Sequence, residues 1–132
     1  MGEIMKNLDQ IRAKNALSAR IGEGAEGGES VAKKIPVMIR ENGFIAAMAF
    51  AKAYLDDAKK SRAFDPNKYK GKGYVDVFNA IIVHLKDIDK LHGIRDDFDL
   101  FLADLCEKDS VVLRAVTTEA MAYLNYLRRF QG

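Results

Sequence analysis

Residues 31–51 read Val31-Ala32-Lys33-Lys34-Ile35-Pro36-Val37-Met38-Ile39-Arg40-Glu41-Asn42-Gly43-Phe44-Ile45-Ala46-Ala47-Met48-Ala49-Phe50-Ala51. The fold class turns on this stretch. Val31, Ile35, Met38 and Ile39 recur at three- and four-residue steps, which is helical spacing and not strand alternation. Pro36 lies inside the pattern, so a kink or a late helix start is expected there. Asn42-Gly43 is a stop signal, because either residue takes the left-handed conformation that closes a helix. A third helix, about Phe44 to Arg62, begins at once. Phe44 to Ala51 carries no charge, and a helix apolar all round belongs at the centre of a core or under a partner.

The same period extends in both directions. Upstream, a first helix is expected from about Ile4 to Ile21, with Ile4, Leu8, Ile11 and Ala19 on one face. Gly22, Gly24, Gly27 and Gly28 then break it, since so many glycines cost too much backbone entropy for a helix; the segment reads as a flexible loop. The second helix starts near Ser30. Downstream, residues 63–73 read as a loop, with a turn at Asp65-Pro66-Asn67. A fourth helix spans about Tyr74 to Leu91, burying Phe78, Ile81, Ile82, Leu85 and Ile88, and Gly93 ends it. A fifth, about Asp97 to Glu107, offers Phe98, Phe101, Leu102 and Leu105, with Asp96 or Asp97 as N-cap. The last runs from about Ser110 to Phe130. Val112, Val116, Ala120, Tyr123, Leu127 and Phe130 line its core face; Arg114, Thr118, Asn125 and Arg129 line the opposite one. With no repeat and no second domain in view, the expectation is an all-α fold: a compact bundle of about six helices forming a single domain over 1–132.

Composition agrees. The chain has 132 residues, 48% apolar and 30% charged, a balance that excludes a disordered chain and supports one core without staples. One cysteine, Cys106, rules out an internal disulfide. With no secretory signal and no apolar run long enough to span a bilayer, the expected setting is the cytoplasm, with no membrane partner. The net charge is +2, unevenly spread: residues 1–72 hold 14 Lys/Arg against 9 Asp/Glu, and residues 73–132 hold 7 against 10. Such a dipolar chain can meet a polyanion with one part and a protein neighbour with the other. Ordinary surface scatter is the alternative.

Catalytic signatures are missing from the sequence. His84 and His92 do not form a zinc-binding pair on a helix, and Lys70-Gly71-Lys72-Gly73 has the wrong order for a phosphate loop. Cys106, in an apolar helical stretch, is expected to be a small buried core residue. His84 is expected to be capped or at the surface. Asp87, Asp89, Asp96, Asp97 and Asp99 fail a calcium-loop template, because Leu91, His92 and Phe98 fall where a ligand, a glycine and a glutamate belong. They read as a solvated helix junction with capping duties, or as a docking surface for a basic partner. No metal and no cofactor is expected.

Three features suit a polyanion. Lys33 and Arg40, seven apart and so nearly in line, lie opposite the apolar face of the second helix, with Lys34 beside them. Phosphate oxygens want cations held on a rigid element. The loop Lys68-Tyr69-Lys70-Gly71-Lys72-Gly73-Tyr74 offers charge, stacking rings and glycines that let the backbone approach. The stripe Arg114, Thr118, Asn125, Arg129 is the third. A plain solvated face or loop is the alternative for each.

The run Ala32 to Ala51, with its basic pair, Ile-Pro, short helix, Asn-Gly and apolar helix ending in Ala-Phe, resembles the hallmark of the small subunit of the CRISPR type III-B effector, the RAMP-module or Cmr complex. Leu113 to Phe130 is similar to that family's closing helix, and Arg12 to Leu17 to its N-terminal block. Phe44 departs from the leucine expected after Asn-Gly, and the loops 22–28 and 63–73 are not family marks. The resemblance implies an all-helical, non-catalytic subunit. It would stack head to tail into a small filament beside the RAMP-type backbone and large subunits, supporting the groove where guide RNA and target RNA pair. There base pairing reads sequence while protein supports shape and phosphate charge. The RNA contacts expected are Lys33, Lys34 and Arg40, then Lys14, Arg20, Arg114 and Arg129. A pure protein–protein adaptor without RNA contact is the competing reading. A metal-dependent hydrolase built on the acidic cluster is the third, and no ligand template fits it.

Overall fold

The computed structural model describes residues 7–22 and 30–131. They form six helices: α1 Leu8–Ser18, α2 Val31–Asn42, α3 Phe44–Lys59, α4 Lys72–Asp87, α5 Phe98–Glu107 and α6 Ser110–Gln131. Among the described residues there is no strand. Expectations for Ile4 and for most of the glycine-rich loop lie outside the described residues.

Side chains fix most of the helix starts. Asn7 opens α1 with a capping box: its Oδ1 accepts from the Gln10 backbone N–H while Gln10 Oε1 accepts from the Asn7 N–H. Each such cap satisfies donors that would otherwise lack a partner. Ser30 caps α2 and Asp97 caps α5. Because α2 starts at Val31, Pro36 falls inside the helix rather than at a late start; lacking an N–H, it cannot donate to the Ala32 carbonyl. Gly43, at φ +90°, separates α2 from α3 where Asn42-Gly43 was expected to do so.

The centre of the bundle is α4, which packs against every other helix. Tyr74, Val75, Val77, Phe78, Ile81, Ile82 and Leu85 are buried along it. Phe44 of α3 meets Phe78 edge-on at 5.4 Å and Phe101 of α5 at 6.4 Å, contacts each worth roughly 0.5–1.5 kcal/mol beyond burial. The charge-free start of α3 is therefore half core: Phe44, Ala47, Met48 and Ala51 are buried, while Ala46, Ala49 and Phe50 are exposed.

Several expectations are corrected. Helix α1 is shorter than 4–21, Leu8 is 38% exposed, and its buried residue is Ala16. Helix α4 runs Lys72–Asp87 rather than 74–91, because Asp89 and His92 take positive φ and turn the chain before Gly93 does. Phe130 is 45% exposed, and Leu124 is buried in the core of α6 instead. Cys106 is exposed, since the core face of α5 is filled by Phe98, Phe101, Leu102 and Leu105. His84 is fully buried.

Candidate nucleic-acid interface

Helix α2 turns Val31, Ala32, Ile35, Pro36 and Ile39 inward. That burial leaves Lys33, Val37 and Arg40 exposed on the far side, with Lys34 half-buried at its border. Lys33 and Arg40 stand about 10.5 Å apart along the axis, from 1.5 Å per residue. Val37, 42% exposed, lies between them.

The other expected cations lie outside α2. Lys14 is exposed on α1. Arg20 lines a cleft between the end of α1 and α4, with Asp76, Asn79 and Tyr123. Arg129 lines a groove between α1 and α6 with Asp9, Arg12, Asn125 and Tyr126. Arg114 is fifteen residues away on α6, about 22 Å along the helix. None of these cations, nor Lys33, Lys34 or Arg40, is in an ion pair among the described residues. The chain's other cations include many that are committed internally: Arg12 to Glu119 and Asp9, Lys52 to Asp56 and Asp99, Lys59 to Asp99, Lys72 to Asp76, Lys86 to Asp96, and Arg95 to Asp104.

The loop 68–74 is used differently from its sequence reading. Tyr74 is buried and stacks on Tyr54 at 5.5 Å, so it is unavailable to a base. Lys72 binds Asp76 at 2.8 Å. Tyr69 is half-buried against Phe64. Lys68 and Lys70 remain exposed. The acidic junction is likewise largely committed: Asp97 accepts from the Leu100 N–H, Asp96 pairs with Lys86, and Asp99 pairs with Lys52 and Lys59. Among the described residues no group of acids, histidines and cysteine could hold a metal ion.

Sequence reasoning missed a polar cluster inside the bundle. Arg12 donates to both oxygens of Glu119, Nε to Oε2 at 2.8 Å and Nη2 to Oε1 at 2.7 Å. His84 Nε2 lies 2.9 Å from Glu119 Oε2, and its Nδ1 lies 2.8 Å from Asn15 Nδ2. The same Asn15 nitrogen donates to Asp87 at 3.1 Å. Asp87 accepts only, so it fixes the amide nitrogen on this side; Nδ1 then accepts and Nε2 donates. The His84 ring stacks on Tyr123 at 4.5 Å, whose hydroxyl is pushed up to about 12 by burial. Burial raises the Glu119 carboxyl, but hydrogen bonds from Arg12 and His84 outweigh it and hold the group below its ordinary value. Its members answer one another across α1, α4 and α6, so the cluster fastens these helices together.

The chain matches the family described as CRISPR-associated protein (Cas_Cmr5) over residues 8–131. It belongs to that family. Cas_Cmr5 proteins are small subunits of the type III-B Cmr effector, a structural family, so this chain is a subunit of a CRISPR Cmr complex. The resemblance drawn from Arg12–Leu17, Ala32–Ala51 and Leu113–Phe130 falls wholly inside the matched span. Membership implies association with other Cmr subunits. No curated protein and no solved structure matches the chain. Among the described residues, no helix is long and apolar enough to cross a membrane.

Proposed function

We propose that this Cmr subunit works without catalysis, as one domain in the cytoplasm. It stacks head to tail with further copies and supports the paired guide and target RNA through phosphate contacts. The observation that carries the reading is the outer face of α2, where Lys33, Lys34 and Arg40 sit on a helix pinned by buried residues and have no ion-pair partner among the described residues. Cations on a rigid helix need no backbone ordering to meet phosphate, and no base-reading code is needed where base pairing supplies the sequence. Arg129 in the α1–α6 groove, with Lys14, Arg20 and Arg114, extends the same chemistry over other faces.

The test is guide–target binding by the reconstituted effector. Lys33→Glu with Arg40→Glu is expected to keep assembly but weaken binding roughly tenfold, and to lower the salt slope by about one for each phosphate that the variant no longer neutralises. Unchanged affinity and slope would assign the α2 face to a neighbouring subunit, as in a pure adaptor. Val37 would then be its apolar contact.

A further inference from the structure

Residues 60–71 connect α3 to α4 through consecutive turns. The Phe64 N–H donates to the Ser61 carbonyl, the Lys68 N–H to the Asp65 carbonyl and the Lys72 N–H to the Tyr69 carbonyl. Asp65 Oδ1 accepts from the Asn67 N–H at 2.9 Å. The loop ends pressed onto α3: Gly71 has φ +83°, and a Cβ there would stand 2.2 Å from Tyr54 Cγ. Tyr54 cannot easily yield, because it stacks nearly parallel, at 6°, on buried Tyr74. The loop is thus a built feature, and it closes a cleft of about 290 Å³ against the end of α3.

The walls of that cleft combine three chemistries. Tyr54, Phe64 and Tyr69, all half-buried, supply aromatic surface. Asp57 and Asp65 supply carboxylate oxygens. Lys68 and Lys70 stand exposed at the same cleft and enter no ion pair among the described residues. A planar base with a charged backbone uses all three: rings stack on its face, carboxylates accept its amino hydrogens, and cations meet the flanking phosphates. An acidic peptide would use the lysines and leave the aromatic wall idle.

We infer that this cleft binds one unpaired nucleobase of an RNA strand, with Lys68 and Lys70 on the adjoining phosphates. The inference rests on the reading of the chain as an RNA-facing subunit, but on residues remote in sequence from the α2 face. It assigns a contact with single-stranded RNA rather than with the guide–target duplex. Two carboxylates can take both hydrogens of an exocyclic amino group, where uracil offers only its single N3–H, so bases carrying an amino group are favoured over uracil.

The experiment titrates the full chain into a six-nucleotide oligoadenylate with 2-aminopurine at its centre, whose emission is quenched on stacking. Saturable quenching is expected, with a salt slope near about −1.4 for two phosphates. Tyr69→Leu is expected to weaken binding roughly tenfold, as removal of one stacking ring would. Lys68→Glu with Lys70→Glu, both at the surface and safe for folding, is expected to abolish the salt dependence. Lys90→Glu with Lys108→Glu, the same change of charge at residues that do not line the cleft, is expected to leave affinity within about twofold. Absence of quenching, or quenching insensitive to the Lys68/Lys70 pair, overturns the inference without touching the α2 reading, which is tested by duplex binding in the effector. Quenching abolished by Lys33→Glu with Arg40→Glu alone overturns it too and moves the strand to α2. Oligocytidylate is expected to compete better than oligouridylate; equal competition would strike out the role given to Asp57 and Asp65.

Discussion

Glu119 joins three helices, holding Arg12 of α1 and His84 of α4 from its place on α6. Glu119→Ala would leave a guanidinium and a buried imidazole N–H without their acceptor, at a cost of about 3 kcal/mol in urea unfolding. Glu119→Gln keeps one acceptor and is expected to cost less, about 1–2 kcal/mol. The same carboxyl carries a pH signature. Its folded value is depressed, so its contribution is fully present above the unfolded value near 4.5 and is lost as pH falls through the folded value. Unfolding midpoints should therefore hold steady down to about pH 4.5 on this group's account and fall below it, and Glu119→Gln should flatten that fall. A fall as steep in the variant would remove Glu119 as its cause. Asp104, held down to about 2 by Arg95's side chain and backbone N–H, keeps its pairing well into that range. None of this cluster was legible in the sequence. The partners of His84 stand 69 and 35 residues away along the chain, and an Ile-Ile-Val-His run shows nothing of what meets it.

At the scale of elements, legibility followed apolar period. Helices α2, α5 and α6 present regular apolar faces, and Ser30, Gly43 and Asp97 mark their boundaries or α3's start as expected. Helix α1 was misread because its attachment is largely polar: Ala16 is its buried residue, and Arg12, Asn15 and the Tyr123 hydroxyl on the Asn15 carbonyl tie it down. Helices with few buried apolar contacts open first. In hydrogen exchange the α1 amides are expected to exchange before those of α4, and Glu119→Gln should speed α1 at least roughly tenfold while α4 stays protected; uniform acceleration would mean that α1 unfolds only with the whole bundle. The α3–α4 loop makes the opposite point. Its glycines were legible as loop, but not the need for one of them: Gly71→Ala meets both a positive φ and the Tyr54 ring. It is expected to cost about 2 kcal/mol or more in urea unfolding, and less when introduced into a Tyr54→Ala background, where the ring is gone.

Over the whole molecule, the charge split between the two halves proves less symmetric than the count suggests. Half of the second half's ten acids are answered by cations within the chain, Asp76 by Lys72, Asp96 by Lys86, Asp99 by Lys52 and Lys59, Asp104 by Arg95 and Glu119 by Arg12. The cations of α2 are not answered among the described residues. A net charge of only +2 gives little field at long range, since salt screens charges beyond about 8 Å under physiological conditions. RNA affinity should then depend on where cations sit rather than on how many there are. Lys33→Glu with Arg40→Glu takes the chain from +2 to −2, because each substitution changes the charge by two. Lys90→Glu with Lys108→Glu makes the same change near the α4–α5 and α5–α6 junctions, away from α2 in the chain. If a placed patch binds, the first pair weakens guide–target binding roughly tenfold and the second by less than about twofold. Equal weakening from both pairs would show a diffuse field at work, and the phosphate contacts assigned to α2 would have to be withdrawn.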